Sequence, residues 1–326
     1  MRNRLLSSIL TMAAALAFSP GIVAQTPPQP AQPGQTIRVG VDLVSVFATV
    51  RDGKRRRVPD LTKDDFRVFE DGVEQKVEFF SNETSLPINL GILIDTSGSE
   101  DRMLQTEKEA ASRFLRRVLR PKDLAFVMNF DVDVDLLSDF SSDPEHLDRA
   151  IRRARINAPG NPVNPGPFPT IQSGGTKFYD AVYLACREKL GGEVGRKAVV
   201  VITDAVDTGS RLKFADALET AQKSDTVVHV IHISDPEVYG FGGGGGEGIA
   251  KKLAEETGGR AIFVNNEKKL EEAFDQISEE LRSQYTIGYY PVNKTRQGKF
   301  RKLKVEVTQK DMKVLARKGY YESREP

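Results

Sequence analysis

The stretch Ile88-Asn89-Leu90-Gly91-Ile92-Leu93-Ile94-Asp95-Thr96-Ser97-Gly98-Ser99 decides the fold. Its first seven residues form an almost unbroken apolar run. Such a run marks a parallel strand covered on both faces, because a strand with one wet face alternates. Polarity then changes within one residue, to a carboxylate, hydroxyls and a glycine that lets a turn close. A helical pattern follows from about Asp101, with Met103, Leu104, Ala110, Ala111, Phe114, Leu115, Val118 and Leu119 as its apolar stripe. Asp95, Ser97 and Ser99 are therefore expected on the turn leaving the carboxyl end of a strand, where open α/β sheets bind their ligands. All three offer hard oxygens, which suit Mg²⁺, Mn²⁺ or Ca²⁺ and not a soft metal.

The same alternation continues downstream. Asp123 to Phe130, Ala198 to Ile202 and Val227 to Ile233 read as further buried strands, and Leu147 to Ile156 and Leu270 to Leu281 as helices. This predicts an α/β domain of Rossmann-like form, a mostly parallel central sheet with helices on both faces. Gly174-Gly175-Thr176 precedes another helix, and Thr203-Asp204 ends the strand that begins near Ala198. Taken singly, Asp95, Ser97, Ser99 and Thr176 read equally well as helix caps, and Asp204 as a turn residue. Taken jointly, in order and each at an element's edge, they read as one oxygen-rich metal site.

That ordered set, Asp-x-Ser-x-Ser, then Thr, then Asp, resembles the metal-ion-dependent adhesion site of von Willebrand factor type A (VWA) domains. The resemblance spans roughly Leu86 to Ser283. It implies that Asp95, Ser97, Ser99, Thr176 and Asp204 hold one divalent ion, directly or through water, and that a partner's carboxylate completes the shell. Ala205 is a departure: the family often has Gly there, which bears on the loop's geometry and not on the ligand. The mature chain, with phrases such as Leu61-Thr62-Lys63-Asp64-Asp65-Phe66 and Phe69-Glu70-Asp71-Gly72, is also similar to the exported bacterial VWFA-related proteins common in Acidobacteria.

The flanks have period two. Ile37 to Val50, Phe66 to Phe69, Val73 to Phe80, Tyr285 to Tyr289, Leu303 to Val307 and Val314 to Arg317 read as strands, with Asp71-Gly72 as the primed turn of a hairpin. Neither flank has enough strands to bury a face alone. The two are expected to pair into a small β-sandwich. The expected organisation is a signal peptide over 1–24, a Pro-rich linker over 25–35, an N-terminal β segment over 36–85, the VWA domain over 86–283 and a C-terminal β segment over 284–326. The signal reading uses Arg2 and Arg4 followed by the apolar run Leu5 to Phe18, too short to span a bilayer, with cleavage after Ala24. The chain is thus expected in the periplasm or secreted, without a lasting membrane anchor.

Other features have plainer readings. The net charge of +1 implies no polyanionic partner, so nucleic acid is not expected, and the basic run Lys54 to Arg57 reads as a solvated loop. Cys186 is the one cysteine, which excludes an intrachain disulfide, and its place on an apolar stripe makes it a core filler. Asp131-Val132-Asp133-Val134-Asp135 reads as a charged edge strand in preference to a calcium site. The loops Asn157 to Gln172 and Asp235 to Gly248 are expected to form a rim on the edge that carries Asp95. The run Gly242 to Gly246 lacks the Gly-Lys-Ser/Thr sequel of a phosphate loop.

The leading expectation is a non-enzymatic binding and adhesion module. A metal-dependent hydrolase is the alternative, since an Asp at the end of a first strand also suits phosphoryl transfer. Against it, Thr96-Ser97 stand where an Asp-x-Asp phosphatase needs its acid, and there is no Gly-x-Ser-x-Gly elbow. His229 and His232, three apart in a strand, point to opposite faces. A third reading is a scaffold whose ion serves only stability.

Overall fold

The buried run ending at Asp95 becomes the strand on which the larger sheet is centred. The computed structural model describes residues 43–54, 56–82, 86–100, 102–156, 175–233, 246–293 and 298–322. In chain order the strands are β1 (Val44–Arg51), β2 (Phe66–Glu70), β3 (Val73–Gln75), β4 (Val77–Ser81), β5 (Ile88–Asp95), β6 (Leu124–Phe130), β7 (Val134–Ser141), β8 (Arg196–Thr203), β9 (Thr226–Ile233), β10 (Ala261–Val264), β11 (Tyr285–Tyr289), β12 (Phe300–Val307), β13 (Lys313–Ala316) and β14 (Gly319–Tyr321). The helices are α1 (Leu104–Val118), α2 (Pro144–Arg153), α3 (Phe178–Leu184), α4 (Phe214–Lys223), α5 (Glu247–Thr257) and α6 (Glu267–Arg282).

Six strands form one sheet in the order β10-β9-β8-β5-β6-β7. All neighbours are parallel except β7, which runs antiparallel to β6. Every residue of β5 is buried, as its composition requires. Ile88, Leu90, Ile92 and Ile94 face α1, α2 and α6, packing with Phe114, Ile151 and Phe274. Leu93 faces the other way, toward α3, α4 and α5. Gly91 lies under the Phe126 ring, where a Cβ would come within 2.5 Å of it, so only glycine lets the neighbouring strand's aromatic lie flat. The sheet with helices on both faces is the α/β architecture expected.

The flanking strands make two more sheets, β13-β1-β11-β4 and β14-β12-β2-β3. Each takes two strands from either side of the central domain. They close over one core that includes Val46, Val68, Phe66, Tyr285, Ile287 and Leu303. Asp71 and Gly72 have φ of 49° and 84°, the positive pair that a type I′ hairpin needs. Val73 to Phe80 is not one strand, however. It breaks at Lys76, so β3 stays with β2 while β4 crosses to pair with β11. A chain that must contribute to both layers of a sandwich has to turn a corner between them.

Local boundaries also differ from the periodicity. α1 begins at Leu104, after a 3₁₀ turn over Gly98–Glu100 that folds the hydroxyl residues back on themselves. α2 stops at Arg153, short of Ile156. Asp131 is not an exposed edge residue. It is buried and accepts a hydrogen bond from Thr96 Oγ1 at 2.9 Å, while β7 is the exposed edge and carries Asp135 and Asp139. Cys186 is buried, and desolvation pushes its thiol up to about 12, so it acts as a small apolar group.

Residues 1–42, which include the signal and linker expectations, lie outside the described residues. Among the described residues no helix is long and apolar enough to cross a membrane.

Candidate metal centre

Strand register builds the site. β5 and β8 pair with Ile94 opposite Ile202, which sets Asp95 beside Thr203 and leaves Asp204 just beyond the sheet. β5 and β6 pair with Asp95 opposite Phe130. The carboxyl ends of three strands therefore present Asp95, Asp204 and Asp131 side by side. Parallel strands make this inevitable, because all their chain ends emerge on one edge.

Asp95 is completely buried. Its Oδ1 accepts from the Ser97 N–H at 2.9 Å and its Oδ2 from Thr203 Oγ1 at 2.6 Å. These bonds favour the charged form, but burial outweighs them and, with the nearby Asp204 charge, pushes the carboxyl up to about 7. Ser97 Oγ lies 3.0 Å from Ser99 Oγ, and Ser99 Oγ donates to Asp204 Oδ2 at 3.0 Å. Four of the five residues singled out in the sequence thus form one connected cluster of oxygens.

Asp204 is fixed by its own turn, with Oδ1 accepting from the Val206 N–H at 2.9 Å. The next residue, Ala205, has φ of 57°, the left-handed region where glycine is preferred. The departure from the family pattern therefore falls on a strained position and leaves Asp204 in place. Gly246, just before α5, packs against this turn so closely that a Cβ would come within 2.0 Å of the Asp204 carbonyl oxygen. Of the two glycine-rich loops, residues 157–174 and 234–245 lie outside the described residues.

Thr176 reaches the same edge by backbone contacts. Its N–H donates to Thr208 Oγ1 at 3.0 Å, and its carbonyl accepts from Thr208 and Gly209 just past β8. The adjacent Lys177 N–H donates to the Asp131 carbonyl just past β6. The structure ties Thr176 to both strands that flank β5, without a hydrogen bond from its hydroxyl to the other four residues.

Two acids of this site escaped the sequence reading. Glu100 is buried, and one of its carboxylate oxygens lies within 4.8 Å of one from Asp95 and one from Asp204. Glu107, fully buried on the inner face of α1, contacts Glu100. As two carboxylates they leave Glu100 Oε2 and both Glu107 oxygens with no donor, whereas one shared proton gives one oxygen of each a partner. Burial and mutual repulsion accordingly push the Glu100 carboxyl well above the usual range, and burial raises Glu107. A signal was available, since Glu107 falls on the apolar stripe of α1 between Leu104 and Ala111. Thr203 and Thr96 were also missed. Short hydroxyls at strand ends carry no sequence mark of their partners.

The two strand histidines do lie on opposite faces. His229 is 3.7 Å from Glu280 on α6, and burial holds it neutral with a pKa of about 4. His232 packs on the Phe263 ring, 5.0 Å between centroids.

The fold and this edge define the chain's central region as an open α/β domain with an oxygen-rich site at the end of its middle strand. Residues 90–207 match the family model of the von Willebrand factor type A domain, and the chain carries a domain of that family. Among solved structures, BatB from Bacteroides thetaiotaomicron matches with 21% identity over 60% of this chain and 100% of that one, at a TM-score of 0.46. A von Willebrand factor type A protein from Catenulispora acidiphila matches with 12% identity over 87% of this chain and 74% of that one, at 0.45. Proximal thread matrix protein 1 of the mussel byssus, with a zinc-occupied site, matches with 14% identity over 65% and 49%, at 0.48. No curated protein matches the chain.

Proposed function

We propose that this chain is an exported, metal-dependent binding module. A divalent cation held by Asp95, Ser97, Ser99, Thr176 and Asp204 would take up a carboxylate from a partner protein. One observation carries the reading. Asp95 is completely buried, and among the described residues no lysine or arginine forms an ion pair with it, yet a string of hydroxyls leads from it to a second carboxylate. Buried charges are normally paired or coordinate a metal, because desolvation without compensation is costly.

The donor set fits a hard cation. Carboxylate and hydroxyl oxygens are what Mg²⁺, Mn²⁺ and Ca²⁺ take, and no Cys is near. Two protein carboxylates leave such an ion room for a partner's Asp or Glu, a charge-assisted contact strengthened by the low dielectric of a partly dry site. The chain's own residues position the site: Thr203 orients Asp95, and the Val206 N–H orients Asp204. Of the two histidines of β9, His229 belongs to the face of Glu280 and takes no part in this site. Export is supported by the charged and apolar pattern of the first 24 residues.

Calorimetric titration of the chelator-stripped protein with Mg²⁺, Mn²⁺ and Ca²⁺ tests the site. Saturable one-site binding is expected, followed by ion-dependent capture of a protein partner. Undiminished ion affinity in Asp95→Ala would sink the assignment.

A further inference from the structure

Glu100 follows Ser99 directly, and its side chain does not leave the site. It is 2% exposed, and as a carboxylate it accepts no hydrogen bond at Oε2. One of its oxygens lies within 4.8 Å of a ligand oxygen from Asp95 and from Asp204. Two oxygens bound to one hard cation at roughly 2.1–2.5 Å can be no more than about 5 Å apart, so the three carboxylates meet the distance condition for a common ion. Its hydrogen-bonding neighbour Glu107 is a second acid and brings no positive charge. A partner cation would satisfy it, and among the described residues no lysine or arginine forms an ion pair with it.

On the metal-binding reading given above, we infer that Glu100 is a further ligand of the same ion and occupies the coordination position that a partner's carboxylate must take. Glu107 is then a positioning residue. Fully buried on α1 and seven residues further on, it shares a hydrogen bond with the Glu100 carboxyl and so holds that side chain at the site. Charge balance sets the consequence. Asp95, Asp204 and Glu100 already give three negative charges against two positive ones. A fourth carboxylate added beside them would face repulsion in a site of low dielectric. Partner binding is therefore an exchange of one carboxylate for another at constant charge, and the resting site closes on its own residue.

The test uses the full chelator-stripped chain titrated with Mn²⁺, read by calorimetry and by water-proton relaxation of the bound ion. Glu100→Gln is expected to weaken Mn²⁺ by about tenfold or more. It should also raise the relaxation enhancement per bound ion, because water replaces the lost carboxylate, and acetate should then lower that enhancement more than in the parent protein. Glu107→Gln, whose amide still donates, should stay within about threefold of the parent in affinity, while Glu107→Leu should not. Thermal unfolding in chelator shows whether each variant folds, and Glu100→Ala replaces Gln if that variant does not. Parent-like affinity and relaxation in Glu100→Gln, with binding still lost in Asp95→Ala, would overturn the role of Glu100 alone. Absence of ion binding in the parent chain would overturn the metal reading and this inference with it.

Discussion

The two ends of the six-stranded sheet both bury carboxylates, and they treat them in opposite ways. At the end nearer the β-sandwich, Glu280 on α6 is 2% exposed but is held by Arg51 at 2.9 Å and Arg260 at 2.7 Å. Asp123 there pairs with Arg282 and accepts from the Ile88 and Arg120 N–H groups, which together hold its carboxyl below the usual range despite burial. Arg196 donates to the carbonyls of Leu86 and Leu281, binding both chain segments that enter and leave the domain. At the other end Asp95, Glu100 and Glu107 are just as buried, and among the described residues none of them has a cationic partner. The difference separates buried charge that is neutralised within the folded chain from buried charge that, among the described residues, meets no lysine or arginine.

The strongest way to break this contrast is at the paired end. Glu280→Ala should remove the carboxylate shared by the buried Arg51 and the partly buried Arg260 and cost about 3 kcal/mol in denaturant unfolding, with ion affinity unchanged. A loss below 1 kcal/mol would mean that the cluster is solvated and not structural. At the other end Asp95→Asn should lower ion affinity at least a hundredfold, about 2.7 kcal/mol, by calorimetry. The chelated variant should melt at or above the parent temperature, because the substitution removes a buried charge that has hydrogen bonds but, among the described residues, no cationic partner. A lower melting temperature would show that Asp95 is compensated in the ion-free chain.

Stability should also depend on pH through His229. His229 has a folded pKa of about 4 against an ordinary value near 6.5, chiefly through burial and then Arg260, with Glu280 opposing. Between those values the unfolded chain binds more protons, so stability is full above pH 6.5 and falls as pH drops toward 4. Between pH 7 and 5 the loss should be about 2 kcal/mol, and His229→Gln should flatten that slope. An unaltered slope would assign it to other groups. The smallest effect belongs to Ala205. Ala205→Gly should relieve its positive φ and raise stability by up to about 1 kcal/mol without changing ion affinity. A loss of stability would mean that the buried methyl contributes more than the strain costs.

Much of the candidate site was legible in local sequence. The run Ile88 to Ile94 can only be a covered strand, and a carboxylate at its end must lie on the sheet's carboxyl edge. Thr203-Asp204 after Ala198 to Ile202 repeats that grammar. Composition and order sufficed because parallel strands bring their ends together whatever the detailed packing. The two flanks likewise announced their period of two and their need for each other.

Tertiary structure decided what depends on register and on distant pairing. Thr203 became the partner of Asp95 only because β8 pairs with β5 in one register. Glu100 was concealed because a glutamate after a turn reads as solvated until the 3₁₀ turn before α1 folds it inward, whereas Glu107 was marked only by its place on the apolar stripe of α1. The arginines that hold Glu280 come from β1 and from the segment before β10, and no local pattern links them to α6. The sheet, its ligand edge and the oxygen donors at Asp95 were legible in the chain, because periodicity and residue identity are local properties. Only the folded chain decided which buried charges find a cation within the protein and which do not, because that balance is set by long-range contacts and by the loss of water around them.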